Sequence, residues 1–356
     1  MLHFRYDPNI FDIECDTKGN CINIYVKNDS LACQFIDTCE LKIDKSAIHI
    51  IERNPSALLM EGHRVSNPSV YSPEHPTYHI EHRRFVEYGT SIIAVLTDEL
   101  QRVGNDIAKY FRANFRDIPR WSAGCLARDA ASHYFIVTTI HSLEKHLGLD
   151  KEERIIPRKH TVTGMTFYLR FSENNQVQYK RLSSNAVGYY GNFKATLGNE
   201  VPVDVLAIKI DHPEECLDRC KFGVITGREI LRGEASNHRA IQIKAPVFKQ
   251  SRNYAQPQQG IAMNSFHWNQ VTNFDSEQMV SVENIPHENQ CSGSAMYSYD
   301  GETKTMTLYG LTHRRFRDRY GIVIVNAVCL QSCIEALEKE CRLKLQVVLD
   351  QNAECQ

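Results

Sequence analysis

The sequence predicts a mostly β protein, built as antiparallel barrels or a sandwich and closed by one amphipathic helix. Three observations carry this. Short apolar or alternating runs recur at close spacing from Trp121 onward, joined by polar loops. Almost no helical periodicity lies between them, which points to antiparallel pairing. Near the end, Leu330, Ile334, Leu337, Cys341 and Leu345 form one apolar stripe at helical spacing.

Taken in order, residues 1–80 hold short alternating runs such as "CINIYVKN" and "SAIHIIER", the pattern of a small β-rich module. Its last stretch, "NPSVYSPEHPTYHI", carries three prolines and reads as a linker or irregular segment. Residues 81–119 are expected to be linker and helix. Thr97 can cap a helix over 97–115, in which Leu100, Val103, Ile107, Phe111 and Phe115 recur at spacings of three and four. The strand-rich part follows at 120–345, with a first barrel at about 120–205, a second at about 220–326 and a helix over 326–345. Its runs include "YFIVTTI", "GMTFYLRF", "VQYKRL", "VDVLAIKI", "AIQIKA", "GIAMNSF", "TMTLYGL" and "YGIVIVNAV".

Composition removes several function classes. A chain of 356 residues with 42% hydrophobic and 24% charged content has the make-up of an ordinary globular protein with ample core. Its net charge of -2 supplies no electrostatic footprint for nucleic acid. No apolar run is long enough to span a bilayer, and the start, "MLHFRYDPNIFDIECD", has acids and a proline where a secretion leader has a basic end and an apolar stretch. A cytoplasmic setting is therefore expected, although export by a route without a leader leaves no such trace. Twelve cysteines then read as reduced thiols, many acting as small buried hydrophobes. No CxxC pair occurs, so a treble-clef or ribbon zinc site has little support, and the expected site holds no metal.

The chemistry-bearing residues sit beside β runs. His141 follows the apolar run Tyr134 to Ile140, where a ring can be fixed in orientation while facing a cleft. Asp204 heads the alternating run Val205 to Ile210, with Asp211 at the other end as its competitor. Ser292 lies in the small-residue turn "CSGSA" between two later strands. A serine hydroxyl is a poor nucleophile at neutral pH. It needs a neutral imidazole to take its proton, and a carboxylate to hold that imidazole in the useful tautomer. All three groups are present, in the order His, Asp, Ser.

These segments resemble a known family, the chymotrypsin/trypsin-like serine peptidases with a double β-barrel, over roughly residues 120–345. "IVTTIHS" is similar to the family's strand-then-"TAAHC" histidine motif, and "DVLAIK" to its "DIALLK" aspartate strand. "CSGSA" resembles the nucleophile turn, "LYGLTHR" the pocket-lining strand after it, and "WSAGCLARD" the strand before the histidine. "YGIVIVNAVCLQSCIEAL" is similar to the closing strand and helix of intracellular and HtrA-like members. The resemblance implies two six-stranded antiparallel barrels, a C-terminal helix and an N-terminal α+β extension. It also implies a serine endopeptidase without cofactor, acting on a protein or peptide substrate.

Carried over by residue, the resemblance makes Ser292 the nucleophile, His141 the general base and acid, and Asp204 the orienting carboxylate. The backbone N–H groups of Gln290 and Ser292 would form the oxyanion hole, and Thr312 and His313 would line the substrate pocket. His313 there would favour acidic or glutamine side chains before the cut. Two positions depart from the family: Gln290 stands where glycine is usual, and Cys291 where aspartate often is. The missing aspartate argues against activation by a freed N-terminal amine. The alternative reading is a protease-fold binding or scaffold protein without turnover, and a third is an unrelated β-rich interaction protein. The remaining signals read blandly. His75, His79 and His82 flank a proline and suit a solvated irregular segment, and "HRRFRDR" from His313 suits a solvated loop.

Overall fold

The structure, a computed structural model, describes residues 10–16, 21–26, 48–52, 90–103, 107–114, 118–143, 147, 158–173, 176–196, 200–213, 232–236, 241–249, 251, 257–263, 266–269, 274–275, 279–285, 291–300, 302–303, 305–317 and 323–348. Strands β1 (Ile10–Asp16), β2 (Cys21–Val26) and β3 (Ile48–Glu52) come first. Strand β4 (Ser91–Leu96) leads into helices α1 (Thr97–Val103) and α2 (Ile107–Ala113). Next are β5 (Arg120–Ser122), β6 (Cys125–Arg128), β7 (Tyr134–Thr138), β8 (Arg158–Val162), β9 (Met165–Glu173), β10 (Gln176–Ser183), β11 (Ala186–Lys194) and β12 (Glu200–Lys209). The later strands are β13 (Arg232–Ala235), β14 (Pro246–Lys249), β15 (Gln258–Met263), β16 (Phe266–Asn269), β17 (Phe274–Asp275), β18 (Val280–Glu283), β19 (Ala295–Asp300), β20 (Thr305–Arg317) and β21 (Val323–Cys329). Helix α3 (Leu330–Cys341) and β22 (Gln346–Val348) end the described chain.

The protein is mostly β, and among the described residues one barrel closes and not two. Strands β20, β19, β14, β15, β18 and β21 pair in that order, and β21 pairs back onto β20 to close a six-stranded ring. Strand β13 adds to it outside the ring, parallel to β20. Val247, Ala262, Val280, Val282, Met296, Val325 and Ala327 fill its interior. The first half stays open, as a six-stranded antiparallel sheet ordered β22-β6-β7-β12-β11-β8 with a four-stranded sheet, β10-β9-β4-β5, packed on it. It does not close because β9 takes β4, from upstream of Trp121, as its partner.

Strand β4 lies in the segment expected to be linker and helix. Its run "SIIAVL" has no alternation to read because both faces are covered. Ile92 and Ala94 join the main core with Trp121, Phe167 and Leu169. Ile93 and Val95 face the other way, onto Phe111 of α2, Ile118 and Tyr168. The helix expected over 97–115 is thus two shorter ones, of which α2 inserts Phe111 as its buried anchor.

Three other expectations are corrected. "AIQIKA" is not a strand: Ala245 donates back to Gln242 and Lys244 is left-handed, so residues 241–245 turn into β14. "HRRFRDR" is no solvated loop at its start, because β20 runs on through Arg317 and pairs with β21. The C-terminal helix is shorter than 326–345. Residues up to Cys329 complete β21, and Arg342 caps the helix in the left-handed conformation with its N–H on Leu337 O. The helix buries Leu330, Cys333, Ala336, Leu337 and Cys341 against β11 and β12, while Ile334 is only partly covered.

In the N-terminal module, β1, β2 and β3 form a sheet with β16 and β17, an excursion between two strands of the closed barrel. Among the described residues no helix is long and apolar enough to cross a membrane. The segment holding His75, His79 and His82 lies outside the described residues.

Candidate active site

His141 is set by the strand before it. Phe135, Ile136 and Val137 of β7 are buried, and the chain leaves the sheet in a tight turn over His141–Leu143. Leu143 donates its N–H to Ile140 O at 2.9 Å, and its side chain is fully buried as the turn's anchor. The His141 side chain itself stays 20% exposed, at the mouth of the strand.

Asp204 is not at a strand head, as expected, but inside β12, whose central residues are all buried because core and helix α3 cover its two faces. It is wholly inaccessible. Its Oδ1 accepts the N–H groups of Ile140 at 2.8 Å and His141 at 3.1 Å. Its Oδ2 faces two imidazoles, His141 Nδ1 at 2.5 Å and His313 Nδ1 at 2.6 Å. Burial by itself would raise the carboxyl's pKa; His141 and His313 outweigh it and hold Asp204 well below the usual carboxylate range. Asp211, the competitor, instead accepts from the Ser183 hydroxyl at 2.8 Å.

Tautomers follow from this carboxylate. An ionised carboxylate only accepts, so both Nδ1 atoms that face it carry protons. On a neutral His141 the lone pair is then on Nε2. That atom lies 3.0 Å from Ser292 Oγ, the geometry in which a serine hydroxyl donates to imidazole. His313 is pushed by burial down to about 4, against the upward pull of Asp204, so it is neutral at pH 7.

The serine is presented by a turn locked from both halves of the protein. Cys291 O accepts the Ser294 N–H at 3.2 Å, the Ser294 hydroxyl at 2.6 Å and the Thr312 hydroxyl at 2.8 Å. Gly293 has φ +82, and a Cβ there would stand 2.0 Å from Thr138 Oγ1 and 2.6 Å from Ser122 O. Only glycine fits. Ser122 of β5 donates its N–H to Ser292 O at 2.9 Å, and Ser122 O accepts the Thr138 hydroxyl at 2.7 Å.

The structure therefore brings His141, Asp204 and Ser292 into one hydrogen-bonded line. Gln290 lies outside the described residues. Thr312 and His313 are both buried and bonded within the site, to Cys291 and Asp204 respectively. Sequence reasoning missed Ser122, Thr138 and Ser294 as supports of the turn. It also missed the second imidazole on Asp204. Cys291 is buried beside the serine, and Cys125, Cys329, Cys333 and Cys341 are likewise buried and outside any disulfide.

Among the described residues, His141, Asp204 and His313 offer three ligand atoms within 4.8 Å of one another. Two ligands sharing one tetrahedral zinc at about 2.1 Å stand about 3.4 Å apart. The two nitrogens here lie 2.5 and 2.6 Å from the carboxylate oxygen, which are hydrogen-bond distances with protons between the atoms.

A closed antiparallel barrel and an open antiparallel assembly thus meet at a His-Asp-Ser line, where the resemblance implied two closed barrels. No protein-family model matches the chain, and no curated protein does. Among solved structures it is similar to Protease A of Thermobifida fusca, at 11% identity and a TM-score of 0.37, over 74% of this chain and 99% of that one. It is similar to the Nocardiopsis protease NAPase at 9% identity and a TM-score of 0.35, over 73% of this chain and 100% of that one. A glutamic acid specific serine protease, described as using a histidine triad in substrate binding, is similar at 10% identity and a TM-score of 0.35, over 74% of this chain and 100% of that one.

Proposed function

We propose that the protein is a serine endopeptidase that hydrolyses peptide bonds through an acyl-enzyme. The observation that carries this reading is the 3.0 Å approach of Ser292 Oγ to the Nε2 of a His141 whose Nδ1 is held by a buried carboxylate. In the proposed reaction His141 Nε2 takes the Ser292 proton as Oγ bonds to the scissile carbonyl carbon. Asp204 stays ionised and stabilises the imidazolium that results. The C–N bond then breaks, the leaving amine takes the proton from Nε2, and the acyl group remains on Oγ. A water molecule, deprotonated by the same Nε2, attacks the ester carbonyl carbon; the C–Oγ bond breaks, Nε2 gives its proton to Ser292 Oγ, and the acid product leaves.

The backbone N–H groups of Gln290 and Ser292 are proposed as the oxyanion donors, and one such donor contributes typically 10²–10³ in turnover. A second reading is motivated by Gln290, which replaces the glycine usual at that place in the resembled family: the same fold acting as a binding or scaffold protein without turnover. A fluorophosphonate probe separates the two. The endopeptidase reading expects covalent labelling of the folded protein that disappears in Ser292→Ala. Absence of labelling in folded wild-type protein selects the second reading.

A further inference from the structure

Asp204 Oδ2 carries one more donor than a His-Asp-Ser line requires. His313 Nδ1 lies 2.6 Å from it, nearly the same distance as His141 Nδ1. The two rings meet edge to face, with centroids 5.0 Å apart and planes at 80°. The His313 side chain is 4% exposed, against 20% for His141.

The backbone explains why this residue faces inward. In β20 the register against β21 slips between Thr312 and Arg314, where Thr312 opposes Ala327 and Arg314 opposes Asn326. His313 is the extra residue of that bulge, and bulges re-aim side chains at sites. As a result two successive residues both turn into the protein: Thr312 bonds Cys291 O, and His313 bonds Asp204. Regular alternation would send one of them outward.

We infer that His313 is a positioning residue, a neutral imidazole whose Nδ1–H holds the Asp204 carboxylate in the plane that orients His141. This rests on the endopeptidase reading and replaces the substrate-pocket role expected for His313. It makes different demands on kinetics. A pocket residue changes KM and the preference among peptides. A residue that orients Asp204 changes the rate of acylation for every substrate alike, including a reagent with no peptide side chain.

The test compares fluorophosphonate labelling rates and peptide kinetics of wild type, His313→Leu, His313→Asn and His313→Gln. Asparagine places an amide N–H close to the position of Nδ1, whereas glutamine carries its amide further out. Loss of one hydrogen bond to a charged group slows labelling by roughly 10- to 100-fold in His313→Leu, with KM little changed. His313→Asn restores most of the rate and His313→Gln does not. The amide pair decides the matter if the leucine variant does not fold. Equal labelling by wild type and all folded variants overturns the inference and leaves the endopeptidase intact. So does a change confined to KM or peptide preference. A wild type that never labels overturns both readings together.

Discussion

The N–H of Ser122 donates to the carbonyl of Ser292 at 2.9 Å, so a strand of the open assembly holds the turn that the closed barrel presents. The other backbone group of Ser122 accepts the Thr138 hydroxyl, and Thr138 ends the strand that delivers His141. One residue thus ties the serine to the strand of the histidine. The site is a property of the junction and not of either half.

Gly293 is where this junction is tightest. Adding a methyl group puts it 2.6 Å from Ser122 O, a backbone atom with no room to give, at a φ that other residues resist. Gly293→Ala is expected to destabilise the protein by about 2–3 kcal/mol, and to slow probe labelling because the Ser122 bond is displaced. Denaturant unfolding and labelling, measured together, check both. A variant with unchanged stability and rate would mean that the turn yields to a methyl group at little cost.

Asp204→Asn tests the tautomer argument. Two Nδ1–H donors face Oδ2 and two backbone N–H donors face Oδ1, whereas an amide has one accepting oxygen, so its NH₂ must face either the imidazoles or the Ile140 and His141 N–H groups. The variant is expected to fold, and to lose on the order of 10⁴ in peptide turnover through the wrong His141 tautomer. Near-wild-type turnover would remove Asp204 from the reaction.

Much of the site was legible from short windows, and the limits of that legibility are physical. His141, Asp204 and Ser292 each stand beside an apolar run that a reader can find without knowing the fold. Asp204 reads as a strand head because the run counted after it starts at Val205, whereas β12 starts at Glu200 and is buried on both faces, so a polar residue inside it marks no edge. Strand β4 was hidden for the same reason, and because a helix starts directly at Thr97. The role of His313 depends on a one-residue bulge, which no periodicity announces. Barrel closure was not readable either, since it is decided by which distant strand pairs with β9.

Stability should fall with acid in a way His313 sets. Its folded pKa is depressed to about 4 from an ordinary 6.5, chiefly by burial. Between those values the unfolded chain binds a proton that the folded one does not, so stability rises with pH across that window. The contribution is complete above about pH 6.5 and is lost as pH falls toward 4, amounting to about 3 kcal/mol. Asp204 acts at lower pH: its depressed pKa adds stability above the ordinary carboxylate range that is lost as pH falls below it. Urea unfolding at a series of pH values checks the first window. His313→Leu should flatten the slope between 4 and 6.5, and an unchanged slope would assign it to another group.

The open half makes a prediction about where the folding unit begins. A fragment starting at residue 120 keeps His141, Asp204 and Ser292 and all of the resembled region. It lacks β4, which stands between β9 and β5 and pairs with both. Its loss uncovers Trp121 and Phe167 on one face and Tyr168 on the other, where Phe111 and Ile118 are removed as well. It also leaves the N–H and C=O groups of β9 that faced β4 without their ladder. Such a fragment is expected not to fold, whereas the full chain does. Phe111→Ala asks the same question gently. Phe111 is fully buried, edge-on to Tyr168 at 5.3 Å and tilted on Tyr179 at 4.4 Å, far along the chain from the site residues. Its truncation is expected to cost about 3–5 kcal/mol while the labelling rate of the folded fraction stays unchanged. A folded, probe-reactive fragment from residue 120 would show that the upstream strand only decorates a unit complete without it.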